Sequence, residues 1–234
     1  TKIPSKEEVD SLLKPYVDTL ANRLKTILIE NSSTRYNGNF KSGRLLSKNT
    51  YKVLTDESRI FSKKNNANEP KYFWHVLLDN SGSMEGDNHL NTFLAGSLLA
   101  NTCKKLNFGV DLVKFENYTT PISDMEGYRE IPCGGNDDAR AIADIIKRLD
   151  KKKDNIVVML TDGGVCSDPR DMIQLLEKKH KVPFFSVGVG IYGMEAKSFT
   201  SYYKDAILVP NVEELPKTMI QIMRSVIRRQ WDMI

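Results

Sequence analysis

The chain has 234 residues, 40% apolar and 27% charged, a globular composition sized for one large α/β domain with added elements. No window of roughly 18 uncharged apolar residues exists, which excludes a transmembrane helix by hydropathy. The net charge of +4 is uneven: residues 1–71 hold 14 Lys+Arg against 8 Asp+Glu, residues 72–234 hold 20 against 22.

The start, TKIPSKEEVD, lacks both an initiator Met and the apolar core of a signal peptide, so a cytoplasmic fragment of a longer protein is expected. Residues 5–30 read as a helix. Ser5 is placed to cap it, Glu7 and Glu8 suit the positive end of its dipole, and Val9, Leu13, Tyr16, Leu20, Leu24 and Ile27 form one apolar stripe. Pro15 predicts a kink or break. Residues 31–71 are polar and read as a basic arm lying on the main domain, with KKNNANEP as its linker. No Lys/Arg run in the arm is interleaved with aromatics, so nucleic acid is not the expected partner.

From Tyr72 the pattern changes. YFWHVLLD is an apolar run ending in an acid, as in a strand buried on both faces of a parallel sheet. A helix (89–106), a strand (108–115) and an edge strand containing Pro121 follow. Next come a helix (137–150), the buried strand NIVVMLTD and a helix opened by Asp168 and Pro169. The strand VPFFSVGVG, a short helix, the strand AILVP and a final helix with Leu215, Met219, Ile222 and Val226 on one face complete the chain. Such alternation predicts βαβ units around a mostly parallel sheet with helices on both faces, a domain over 72–234 preceded by the helix and arm of 1–71.

In such sheets ligands bind beyond the carboxyl ends of the strands. The first buried strand delivers Asp79, Ser81 and Ser83 there, in D-x-S-x-S spacing. The second delivers Thr161-Asp162-Gly163-Gly164, and between them CGGNDD opens a helix with Asn136. Carboxylates, hydroxyls and an amide are hard oxygen donors, suited to Mg²⁺ or Mn²⁺, or to Ca²⁺, with room for an outside ligand. By itself D-x-S-x-S also reads as a helix cap or turn; the three loops together favour the ion.

LLDNSGSM, GGNDDARAI and VVMLTDGG, in this order, resemble the metal-ion-dependent adhesion site of von Willebrand factor A domains, over residues 72 to about 230. The resemblance implies a Rossmann-like fold and a site of Asp79, Ser81, Ser83, Asn136 and Asp162, with Asn136 standing where the family usually has Thr. Asp137 and Asp138 lie close enough in sequence to substitute for it. The DNSGSM form and the preceding arm look most like the intracellular CobT-type subunits of cobalt chelatases. Their A domain, as the resemblance implies, works with an AAA+ ATPase of the chelatase/MoxR group. The stretch 43–64 resembles, more loosely, the segment before the A domain in those subunits.

Three functions follow as expectations. The first is an adaptor whose ion holds an acidic side chain of an AAA+ ATPase or its client. The second is a non-ATPase subunit of a chelatase inserting metal into a tetrapyrrole. The third is a nucleic-acid-associated protein using the basic arm. Turnover by the chain alone is not expected: no G-x-S-x-G elbow is present, and no histidine is set as a catalytic base. GVGIYG (188–193), with Glu213 about 20 residues on, imitates a dinucleotide fingerprint but follows a late strand, where the first is required. Cys103, Cys133 and Cys166 have no metal-ligand spacing and read as free thiols. His75 falls inside a buried strand as a core residue, and His89 reads as a surface position.

Overall fold

The structure is a computed structural model that describes residues 3–31, 36–40, 44–45, 61–64, 72–190, 193–203 and 206–232. The chain divides into two compact units, residues 1–25 with 71–234 and residues 26–70.

Helix α1 runs Lys6–Asn31. Ser5 and Glu8 close a reciprocal capping box: Glu8 N donates to Ser5 Oγ (3.3 Å) and Ser5 N donates to Glu8 Oε2 (2.8 Å). The buried stripe is Val9, Leu13, Val17, Leu20, Ala21, Leu24 and Ile27, with Val17 and Ala21 filling the inner face and Tyr16 turned half out. Pro15 sits inside the helix without ending it, because the stripe on either side stays anchored.

The second unit holds three short strands, β1 (Tyr36–Phe40), β2 (Arg44–Leu45) and β3 (Phe61–Lys64), in an antiparallel sheet of order β1-β3-β2. Phe61 is its centre, opposite Phe40 on one side and Leu45 on the other. Strands this short and polar show no period in sequence, and none is expected there. The linker over 65–70, and most of the stretch 43–64, lie outside the described residues.

The first unit contains β4 (Tyr72–Asp79), α2 (Asp87–Lys105), β5 (Gly109–Phe115), β6 (Thr119–Ile122), α3 (Asp138–Arg148) and β7 (Asp154–Leu160). Then come α4 (Arg170–Gln174), which runs into a π-helical turn at Leu175–Lys179, β8 (Phe184–Val189), α5 (Gly193–Tyr202), β9 (Ala206–Val209) and α6 (Leu215–Asp232). The six strands form one sheet in the order β6-β5-β4-β7-β8-β9, parallel except for β6 at the edge. This is the Rossmann-like α/β arrangement that the alternating pattern predicts. Pro121 lies on the edge strand, where its missing N–H breaks no second ladder.

Both faces of the central strands are covered. Leu77, Val113, Phe115, Val157 and Met159 pack with Ile142 and Ile145 of α3 and with Leu176. On the other face Leu78 meets α2 at Gly96, where a Cβ would stand 3.1 Å from Leu78 Cδ2 and 2.8 Å from Met125 Cε. That close approach accounts for a glycine inside a helix. His75 is a hydrogen-bonded core residue, with Nδ1 3.2 Å from Asp111 Oδ2 and Nε2 3.1 Å from Asn155 Oδ1. Arg148 donates to both oxygens of Asp111, at 2.9 and 2.6 Å. Burial would raise the Asp111 carboxyl, but these hydrogen bonds outweigh it and hold the group below its ordinary value.

Candidate metal centre

β4 and β7 are parallel neighbours, with Leu78 opposite Leu160, so Asp79 and the Thr161-Asp162 pair leave the sheet at the same edge. Asp79 is fully buried. Its Oδ1 accepts from Ser81 N (2.9 Å), and its Oδ2 accepts from Asn136 Nδ2 (2.9 Å) and from Thr161 Oγ1 (2.5 Å). Ser81 Oγ lies 3.1 Å from Ser83 Oγ. Gly82 N donates to Gly134 O (3.2 Å) and Cys133 N to Asn80 O (3.1 Å), which ties the serine turn to the GGN loop. Asp162 Oδ1 accepts from Gly164 N (3.1 Å). A Cβ on Gly164 would stand 3.4 Å from both Asp162 Oδ1 and Ser83 Oγ, so these two oxygens face the same point. Folding thus brings together Asp79, Ser81, Ser83, Asn136 and Asp162. Asp79, Ser81 and Asn136 are buried, whereas Ser83 is exposed and Asp162 partly so, and the cluster opens to solvent through those two.

The electrostatics ask for positive charge. Burial, opposed by the Thr161 and Ser81 hydrogen bonds, pushes the Asp79 carboxyl up to about 6. Asn136 Oδ1 is buried and accepts no hydrogen bond. A buried amide oxygen left without a donor, beside a buried carboxylate, fits a hard cation that takes up oxygen lone pairs. Among the described residues no group of three or more His, Cys, Asp or Glu is placed to hold an ion. Any ion here therefore draws on hydroxyl, amide and water oxygens as well as the two carboxylates.

The neighbouring acids divide by role. Asp137 caps α3, accepting from Arg140 N (3.0 Å) and from Ser167 Oγ (2.6 Å). Asp138 points away from solvent, is fully buried and accepts from the Tyr203 hydroxyl through Oδ2. Burial pushes its carboxyl up to about 7. Neither acid takes the place of Asn136 beside Asp79.

Tyr128 is the residue that sequence reasoning missed. The Tyr128 hydroxyl donates to the main-chain oxygen of Asp79, and burial holds it well above the ordinary tyrosine range. His89 is not at the surface: it is buried, its Nε2 lies 2.8 Å from Tyr128 O, and burial lowers its basicity. It packs there because the 3₁₀ turn Met125–Tyr128 folds over the start of α2. Thr161 was legible as part of TDGG; Tyr128 carried no motif.

Gly163 adopts φ +83°, and a Cβ there would meet Phe199, so the loop after β7 needs a glycine. GVGIYG begins in β8, next to the sheet edge, and its Ile191 and Tyr192 lie outside the described residues. Cys103 is buried, its thiol pushed up to about 12 by burial; Cys133 and Cys166 are exposed, and all three are free, as expected.

No protein-family profile and no curated protein matches the chain. Solved structures do. The conserved hypothetical protein BatB from Bacteroides thetaiotaomicron superposes with a TM-score of 0.53 at 15% identity, over 67% of this chain and 98% of that one. An aerotolerance-related membrane protein from Bacteroides fragilis gives 0.51 at 14%, over 66% and 98%. Proximal thread matrix protein 1 from the mussel byssus gives 0.46 at 16%, over 67% of this chain. The chain spans about half, 48%, of the mussel protein. The two Bacteroides likenesses show the fold, a Rossmann-like von Willebrand factor A fold, and reach no further toward the CobT-type branch. No helix among the described residues is long and apolar enough to cross a membrane.

Proposed function

We propose that this rim is a divalent-cation site for capturing an acidic side chain of a partner protein, with Asp79, Ser81, Ser83, Asn136 and Asp162 as the residues that hold the ion. The observation that carries this reading is the buried Asn136 oxygen without a donor, set against the buried Asp79 carboxylate. The ion, Mg²⁺ by the donor chemistry with Mn²⁺ or Ca²⁺ as substitutes, would supply a positive charge with a position open to an outside carboxylate. The mussel protein has been solved with a zinc-occupied site of this kind, which supports a divalent ion without choosing one. The chain's own residues do the rest. Thr161 and Asn136 orient Asp79 Oδ2, Ser81 N orients Oδ1, and Gly164 keeps the point between Asp162 and Ser83 clear of a side chain. A buried carboxylate fixed in this way loses little further freedom when it binds.

The DNSGSM turn and its resemblance to CobT-type subunits support an AAA+ ATPase of the chelatase/MoxR group, or its client, as the partner. A chelatase subunit is the narrower form of the same reading. Affinity purification with this chain as bait, in Mg²⁺ and in EDTA, tests it. An AAA+ protein retained only in Mg²⁺, and lost with Asp79→Ala, is expected. Retention of the same protein in EDTA would overturn the metal-dependent capture, and a Mg²⁺-dependent partner of another kind would overturn the ATPase assignment.

A further inference from the structure

Counted along the chain, residues 72–234 are slightly acidic, but folding sorts their charge. β7 and β8 are parallel neighbours, Val157 lies opposite Phe184, and Val157 N donates to Pro183 O (3.0 Å). The segments entering these strands, 147–154 and 177–181, are therefore gathered at the sheet end opposite the Asp79 rim. Together they hold eight Lys+Arg against three Asp+Glu, while the rest of 72–234 holds 12 against 19. Lys147, Arg148 and Lys153 are engaged with Asp144, Asp111 and Asp150. Lys151, Lys152, Lys178, Lys179 and Lys181 are exposed and have no carboxylate partner among the described residues.

Lys181 adds a second observation. It adopts φ +57°, a left-handed conformation just past the turn Leu175–Lys179, where glycine is the less strained residue. The chain places a cation where its backbone favours none.

We propose that this end of the sheet binds the phosphate backbone of a nucleic-acid duplex without reading its sequence. All five free cations are lysines, point charges suited to phosphates, and lysine is depleted from the cores of protein–protein interfaces. The exposed large hydrophobic residues among those described are Leu12, Tyr118, Ile131 and Leu208, none of them in these two segments. Phe73, the aromatic ring beside these lysines, is half-buried with Lys153 over it, so the patch presents no exposed Phe, Tyr or Trp to single-strand bases and no apolar wedge to a bilayer. The site lies at the end of the strands opposite the rim.

The test is fluorescence anisotropy of the full chain with a labelled duplex of about 20 base pairs and arbitrary sequence, across about 20 to 200 mM salt. Contact with about four phosphates predicts a log–log salt slope near −3.6. A combined Lys151→Glu, Lys152→Glu, Lys178→Glu, Lys179→Glu variant is expected to lose at least about tenfold in affinity and most of that slope. Lys181→Gly is expected to weaken binding while its thermal midpoint stays or rises, which separates lost charge from lost folding. The proposal is overturned if the fourfold variant binds the duplex like the wild type. It is equally overturned if phosphatidylserine vesicles or polyglutamate bind in a lysine-dependent way while the duplex does not.

Discussion

Asp79 joins the three loops of the rim, accepting from Ser81 N, Asn136 Nδ2 and Thr161 Oγ1. Asp79→Ala is expected to abolish divalent-cation binding and to leave the fold intact, as read by an unchanged circular dichroism spectrum. Burial of the carboxylate opposes folding in the absence of an ion, so the variant's metal-free thermal midpoint should not fall far. Tyr128 acts through the Asp79 carbonyl. Tyr128→Phe leaves that buried oxygen short of a donor and is expected to cost about 1–2 kcal/mol of stability by denaturant melts, with weaker cation binding. At this scale the five proposed ion-holding residues could be picked out because D-x-S-x-S and TDGG each follow a buried strand and GGN opens a helix beside them. Tyr128 and the buried state of His89 were not, since a tyrosine in a 3₁₀ turn signals nothing until the turn folds over α2.

Elements were legible where the hydrophobic period was strong. β4, β7 and β8 stand close to where their apolar runs placed them, and α3 has the sharply two-faced pattern of a helix packed on a sheet. The strands β1, β2 and β3 were missed because two to five polar-rich residues carry no period. The π turn ending α4 is likewise silent in sequence. Ser5→Ala removes one half of the capping box and should cost about 0.5–1 kcal/mol by thermal or denaturant unfolding. Asp111 links β5 to α3 and to His75, and its folded-state carboxyl lies below its ordinary 3.8. A group lowered on folding contributes stability that is complete above the unfolded value and is lost as pH falls through the folded one. Asp111→Asn should therefore cost about 1–3 kcal/mol near neutral pH, and the difference from wild type should shrink below about pH 4.

Over the whole molecule, the sheet separates an oxygen-rich rim at its carboxyl end from a lysine-rich opposite end. Linear charge counts could not show this, because residues 147–154 and 177–181 meet only when β7 and β8 pair. An ion that binds only the folded chain must stabilise it, by about 1.4 kcal/mol at ten times its dissociation constant. The thermal midpoint should rise with added Mg²⁺ in wild type and stay flat in Asp79→Ala. A cation site built on Asp79 is tested by calorimetric titration of Mg²⁺ into both proteins. Saturable one-site binding to wild type and none to Asp79→Ala is expected; equal affinity in the two would rule the site out.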